Sequence, residues 1–161
     1  MAGKSEALAK TFESKAAEAA QAIEAISDAD WKKVTAAEKW PVGVVAHHIA
    51  MGHQGIAGIV KQVADGKATG PATMSMGDID QMNAQHAKDF ASVGKAETVT
   101  LMKQNAAAAA AMVRGLSDEQ LARSGNLLTG LPSMTTEQAI TGILINHVDD
   151  HMKSIRATVG R

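Results

Sequence analysis

The chain has no cysteine and no tyrosine, and its 161 residues include only two tryptophans, two phenylalanines and three prolines. Without cysteine there can be no disulfide and no thiolate ligand, so a Cys-type structural zinc site is excluded. Any thiol chemistry must therefore use a thiol brought by a small molecule. Aromatic and β-branched clusters, the usual material of strands, are scarce. Neither sign of charge dominates: 16 Lys and Arg face 17 Asp and Glu, the net charge is -1, and there is no basic patch. Nucleic acid is accordingly not expected as a partner. No run approaches the roughly 18 apolar residues of a membrane span, so a membrane is not expected either. The N-terminal stretch Met1-Ala2-Gly3-Lys4-Ser5-Glu6 is charged early and lacks the apolar core of a signal peptide. A cytoplasmic setting is the expectation.

What the chain does contain is helix-forming material: abundant Ala and nine Met. The class reading is all-α, in one domain spanning residues 1–161. Apolar periodicity marks four long helices. The first runs from Ser5 to Ile26 on the stripe Leu8, Phe12, Ala16, Ala19, Ile23 and Ile26, and Ser27-Asp28-Ala29-Asp30 ends it. Trp40-Pro41 opens the second, since Pro is tolerated in a first turn. Its inner face reads Val45, His48, Ile49, Ile56, Ile59 and Val63, ending near Asp65-Gly66. After a loop of Gly, Thr, Ser and Pro, a shorter extra helix covers Asp78 to Ala91. The third long helix spans Lys95 to Arg114 with Val99, Met102, Ala106, Ala109 and Val113 inward, and its Ala106–Ala111 run predicts a close helix seam. A loop with Gly125, Gly130 and Pro132 leads to the last helix, capped by Thr135 or Thr136 and running to Val159 before Gly160. Four such helices predict a four-helix bundle, with the short extra helix between the second and third.

The chemistry-bearing residues are histidines. His147-Val148-Asp149-Asp150-His151 places two imidazoles four residues apart on an apolar helical stripe, a spacing that lets both grip one ion. A weak internal echo suggests a third. Ser27-Asp28-Ala29-Asp30-Trp31 and Ser117-Asp118-Glu119-Gln120-Leu121 each precede a helix in which apolar residues lead to a histidine. Laying Val44-Val45-Ala46-His47-His48-Ile49 over Ile143-Leu144-Ile145-Asn146-His147-Val148 matches His48 with His147. His48 lies on the inner stripe, His47 is rotated about 100° toward the flank, and His53 is too far round to share the face of His48. His86 has no regular spacing to the others. Each histidine alone reads as a surface or satisfied core residue, which is what a lone helical histidine usually is. Three converging inside an apolar bundle would cost about 1–3 kcal/mol for each unsatisfied polar group, which a shared divalent ion removes.

Several sharper motifs fail. The last-helix pair lacks the Glu of a zincin protease, and the Glu-x-x-His pairs of di-iron bundles are missing. Gly52, Gly55 and Gly58 form no phosphate loop and read as sites of close helix packing. Asp150 is weighed as a group orienting a ligand against the alternative of a solvated face.

Trp40-Pro41-Val42-Gly43-Val44-Val45-Ala46-His47-His48-Ile49-Ala50 resembles the second-helix signature of DinB-like proteins, a Trp-led helix carrying a His followed by an aliphatic residue. Asn146-His147-Val148-Asp149-Asp150-His151-Met152-Lys153-Ser154-Ile155 resembles their last-helix signature, and element order matches over almost the whole chain. The resemblance implies an up-down-down-up four-helix bundle, often a homodimer, holding Zn²⁺ or Ni²⁺ on His48, His147 and His151. It also implies thiol-dependent transferases, a mycothiol-dependent isomerase and metal hydrolases as functional relatives. Lys153-Ser154 departs from the common ending of the last motif, where a basic residue, Gly and Gln-like residues often stand.

The expectation is a divalent-metal-dependent enzyme, a thiol-dependent S-transferase or related metal hydrolase, with a low-molecular-weight thiol and a small-molecule substrate as partners. Its catalytic and cofactor-binding residues are not assigned by the sequence; His47, His53 and Asp150 are pocket candidates. The alternative is a non-catalytic, stress-associated helical binding protein whose metal site is structural or vestigial.

Overall fold

The computed structural model describes residues 3–161. Met1 and Ala2, part of the N-terminal stretch read above, lie outside the described residues. Helix α1 (Lys4–Glu24) buries Ala9, Phe12, Ala16, Ala19, Ala20 and Ile23, a three- and four-residue spacing that keeps one face inward. Large side chains such as Phe12 and Ile23 each contribute about 1.5–3 kcal/mol by leaving water. Ser27 then accepts a hydrogen bond from the Asp30 N–H at 3.1 Å and caps a short helix, α2 (Asp28–Trp31). The segment expected only to end the first helix therefore starts another, because Ser is a strong N-cap.

Helix α3 (Val42–Ala64) begins one residue after Pro41, which sits at the cap rather than in the first turn. Gly43 leaves the notch into which Trp31 packs: a Cβ there would stand 2.4 Å from the indole ring. The buried face of α3 includes Val42 through His47, Ile49, Ala50, His53, Ala57, Val60, Val63 and Ala64. Ile56 and Ile59, expected on the inner stripe, are only half-buried. The innermost line is thus rotated from the expected one and runs through His53.

Helix α4 (Met76–Asp89) is fixed at its start by a reciprocal capping box between Ser75 and Asp78, and it buries no residue completely. Helix α5 (Lys95–Arg114) packs along both α1 and α3, burying Val99, Met102, Ala109, Ala110 and Val113. Ala109 and Ala110 carry the close seam that the alanine run predicts, while Ala106 is half-buried. Within the expected loop lie a helix, α6 (Asp118–Ala122), and strand β1 (Ser124–Gly125), which pairs antiparallel with β2 (Met134–Thr135).

The last helix is continuous but uneven. Thr135 caps it through a box with Gln138, and α7 (Thr136–Ala139) passes through a wider π segment, Ile140–Ile145, into α8 (Asn146–Val159). Gly160, at φ 77°, closes it in the left-handed conformation. The four long helices form an up-down-down-up four-helix bundle, with α4 in the crossover between the parallel α3 and α5. No described helix is long and apolar enough to cross a membrane.

Candidate metal centre

Three imidazoles meet where the early turns of α3 face α8. The ring centroids of His48, His147 and His151 form a nearly equilateral triangle with sides of 4.8, 4.7 and 4.6 Å. Their donor nitrogens all lie within 4.8 Å of one another. Nε2 of His48 and Nε2 of His147 are 3.0 Å apart. These are the three residues that the sequence singles out, and the structure brings them together.

The triangle depends on a local exchange of volume. A Cβ on Gly52 would stand 2.4 Å from Cε1 of His147, so the bare backbone of α3 is what admits that ring. Gly55 and Gly58 have open space where a Cβ would be, which corrects the reading of all three as packing glycines. On the last helix the π segment ends at Ile145, two residues before His147. The extra residue in that turn shifts the register of everything after it.

Burial sets the protonation of His48 and His147. It is the main cause that pushes His48 down to about 4 and His147 down to about 2, with neighbouring histidines adding to the effect. Both imidazoles are therefore neutral near pH 7 and keep a lone pair for an ion. The Nδ1 atom of His147 is buried with no hydrogen-bond partner.

A divalent ion suits this donor set. Two nitrogens on one tetrahedral zinc, each at about 2.0–2.1 Å, sit about 3.3 Å apart, close to the His48–His147 separation. Among the described residues no fourth His, Cys, Asp or Glu joins the group. A three-imidazole site of this kind leaves a coordination position open, as catalytic rather than structural zinc sites do.

Around the triangle stand groups the sequence did not reveal. Nδ1 of His151 is 2.8 Å from Oε1 of Glu38, and the Ser154 hydroxyl donates to Oε2 of Glu38 at 2.6 Å. Burial opposes ionisation of Glu38, but hydrogen bonds from Ser154, Thr35 and His151 together hold its carboxyl below the usual range. Ser154 belongs to the part of the last motif that departs from the DinB-like pattern, and Glu38 is what it serves here. Trp40 meets His48 edge-on, with centroids 5.6 Å apart.

The remaining histidines fall differently from expectation. His47, expected on the flank, is buried; its Nδ1 lies 2.8 Å from Nε2 of His86, and its ring stacks on Phe90 at 4.0 Å. This pair docks α4 onto α3. Burial lowers the pKa of both rings. His53 is not one of the three converging rings; it is buried in the core, edge-on to Phe12 at 5.2 Å, with neither nitrogen partnered. Asp150 is exposed, so the solvated-face reading holds for it; Asp149 pairs with Lys15 at 3.0 Å. The internal echo is realised in space, since Ser27 and Ser117 both cap short helices and His48 faces His147.

Residues 11–155 match the DinB superfamily. The chain belongs to the DinB superfamily. No curated protein matches it in sequence. Among solved structures it is similar to YfiT from Bacillus subtilis, described as a probable metal-dependent hydrolase with an unusual four-helix bundle topology. That match has a TM-score of 0.79 at 22% identity and covers 98% of this chain and 88% of YfiT. It is also similar to a mutant form of a mycothiol-dependent maleylpyruvate isomerase, with a TM-score of 0.72 at 10% identity. There the match covers 95% of this chain but 61% of the isomerase, which is the longer protein. At these identities the likeness establishes the shared DinB-type bundle. The chemistry has to be argued from the site.

Proposed function

We propose that this DinB-superfamily protein is a divalent-metal-dependent enzyme in which His48, His147 and His151 hold Zn²⁺ or Ni²⁺ and a small-molecule thiol is transferred to an electrophile. The observation that carries the reading is the convergence of three imidazoles, two of them held neutral by burial, with no fourth side-chain donor among the described residues. Imidazole suits both metals. An ion held there supplies Lewis acidity, favouring ionisation of a thiol or water near neutral pH.

The protein's own residues then divide the work. His48, from α3, and His147 and His151, from α8, anchor the ion between two packed helices. Trp40 and the stacked His47, His86 and Phe90 give the neighbourhood an aromatic wall. The carboxylate of Glu38 has both oxygens engaged, by His151 and Ser154. It is therefore poorly placed to take a proton from attacking water. A thiol or a water that the ion has ionised needs no such base, so Glu38 does not decide between thiol transfer and the related hydrolysis. A chain without cysteine brings no competing thiol of its own. Of the two structural relatives, YfiT, described as a probable metal-dependent hydrolase, supports the metal, and the mycothiol-dependent isomerase supports the thiol. The homodimer implied by the DinB-like resemblance and the cytoplasmic setting expected from the sequence belong to this proposal.

The test is to load metal-free protein with Zn²⁺ or Ni²⁺ and screen low-molecular-weight thiols against electrophiles, with His48→Ala alongside. Metal-dependent consumption of both thiol and electrophile, lost in the variant, is the expected result. Consumption of the electrophile by water without thiol would replace transfer by hydrolysis. Bound metal that thiols and azide-like ligands cannot reach would favour the non-catalytic alternative.

A further inference from the structure

Glu38 stands in the loop between α2 and α3, and the loop is tightly determined. The Thr35 N–H donates to the Trp40 carbonyl at 2.9 Å, the Lys39 N–H to the Thr35 carbonyl at 3.1 Å, and the Val42 N–H to the Lys33 carbonyl at 2.8 Å. Val34 and Pro41 form an isolated antiparallel bridge across it. At its tip Lys39 has φ 60°, the one positive φ at a non-glycine residue among the described residues. A side-chain-bearing residue keeps that conformation only where its surroundings impose it, and such positions cluster at functional sites. Here the consequence is local: the turn directs the preceding residue, Glu38, inward until its side chain is only 12% exposed.

Both of its oxygens are then spoken for. An ionised carboxylate is an acceptor only, so in the contact with Oε1 the proton must sit on Nδ1 of His151. That leaves Nε2 as the ring's free lone pair. Ser154, three residues after His151 and therefore on the same side of α8, holds the second oxygen. A carboxylate engaged at both ends is badly suited to be a metal ligand or a base. It is well suited to fix a ring.

We propose that Glu38, braced by Ser154 and by the Thr35–Pro41 turn, is the positioning residue of the metal centre, holding His151 as the Nδ1–H tautomer with Nε2 presented to the ion. This inference rests on the metal reading above. Ligand histidines whose second nitrogen is held by a carboxylate lose about 10–100-fold in metal affinity when that partner is removed.

The experiment measures Zn²⁺ affinity by competition with a chromophoric chelator, and the tautomer of His151 by ¹⁵N NMR on metal-free protein. It compares wild type with Glu38→Ala and Glu38→Gln. The Ala variant is expected to bind Zn²⁺ about 10–100-fold more weakly and to lose the Nδ1–H preference at unchanged helix content. The Gln side chain can still accept from Nδ1–H and donate to Ser154, so that variant should retain the tautomer and fall between the two in affinity. It also preserves a test should the Ala variant fold poorly. Wild-type affinity in Glu38→Ala, or weakened binding with the tautomer unchanged, would overturn the proposal. Failure of the wild type itself to bind Zn²⁺ would instead count against the metal reading, and the tautomer comparison would still decide whether Glu38 positions His151.

Discussion

A buried imidazole has two ring nitrogens to satisfy, and the six histidines of this chain do so in different ways. His47 and His86 pair with each other, His48 faces His147, and His151 leans on Glu38. His53 has nothing. Burial pushes its pKa down to about 4, below the usual value near 6.5. Between those two values the unfolded chain binds a proton that the folded chain refuses. The stability that His53 leaves intact above pH 6.5 is therefore lost as pH falls through about 4. The slope is about 1.4 kcal/mol per pH unit for each such proton. Replacing His53 by Leu removes that linkage and also the cost of an unpartnered buried group, about 1–3 kcal/mol. Urea unfolding of the metal-free protein should show His53→Leu as stable as the wild type or more so at pH 7, and less weakened at pH 5. Equal acid sensitivity, or a clear loss at pH 7, would mean that the ring has a partner.

At the scale of elements, α3 matters most, because its glycines look alike in sequence and differ in space. Gly52→Ala would press a Cβ against His147. Metal affinity should fall about 10-fold or more, as when a ligand's orientation is disturbed, while helix content is kept. At Gly55 and Gly58 the same change meets open space. It should stabilise the helix by about 0.5–1 kcal/mol and leave metal affinity unchanged. Chelator competition together with thermal unfolding separates the two outcomes, and equal effects at Gly52 and Gly55 would contradict the packing argument.

The same helix shows what periodicity could and could not read. It located α3, and the internal echo selected His48, because helical faces are written in three- and four-residue spacings. It misplaced the innermost line, since Ile56 and Ile59 are apolar yet only half-buried while His53 is polar and buried. The π segment before His147 left no mark in composition. Glu38 was invisible for a related reason: a lone Glu in a turn has no period, and its meaning appears only when the fold carries it to a residue 113 positions away.

For the whole molecule, the cores of α1, α3, α5 and the last helix are assembled from apolar residues that do not include the three site histidines. The bundle should therefore keep its helices without metal, and the ion should act as a ligand that adds stability by mass action. At 100 times the dissociation constant that increment is about 2.7 kcal/mol, less any affinity of the unfolded chain for the ion. The up-down-down-up order makes the site possible, because it sets α3 beside α8, and these two helices hold all three rings. The most direct measurement is a calorimetric titration of metal-free protein with Zn²⁺, repeated for His48→Ala, His147→Ala and His151→Ala. Far-UV circular dichroism serves as the control for folding. The account predicts one ion per chain in the wild type and severely weakened binding in each variant, with helix content unchanged. Absence of binding by the wild type, or one ion still held tightly in every variant, would contradict it.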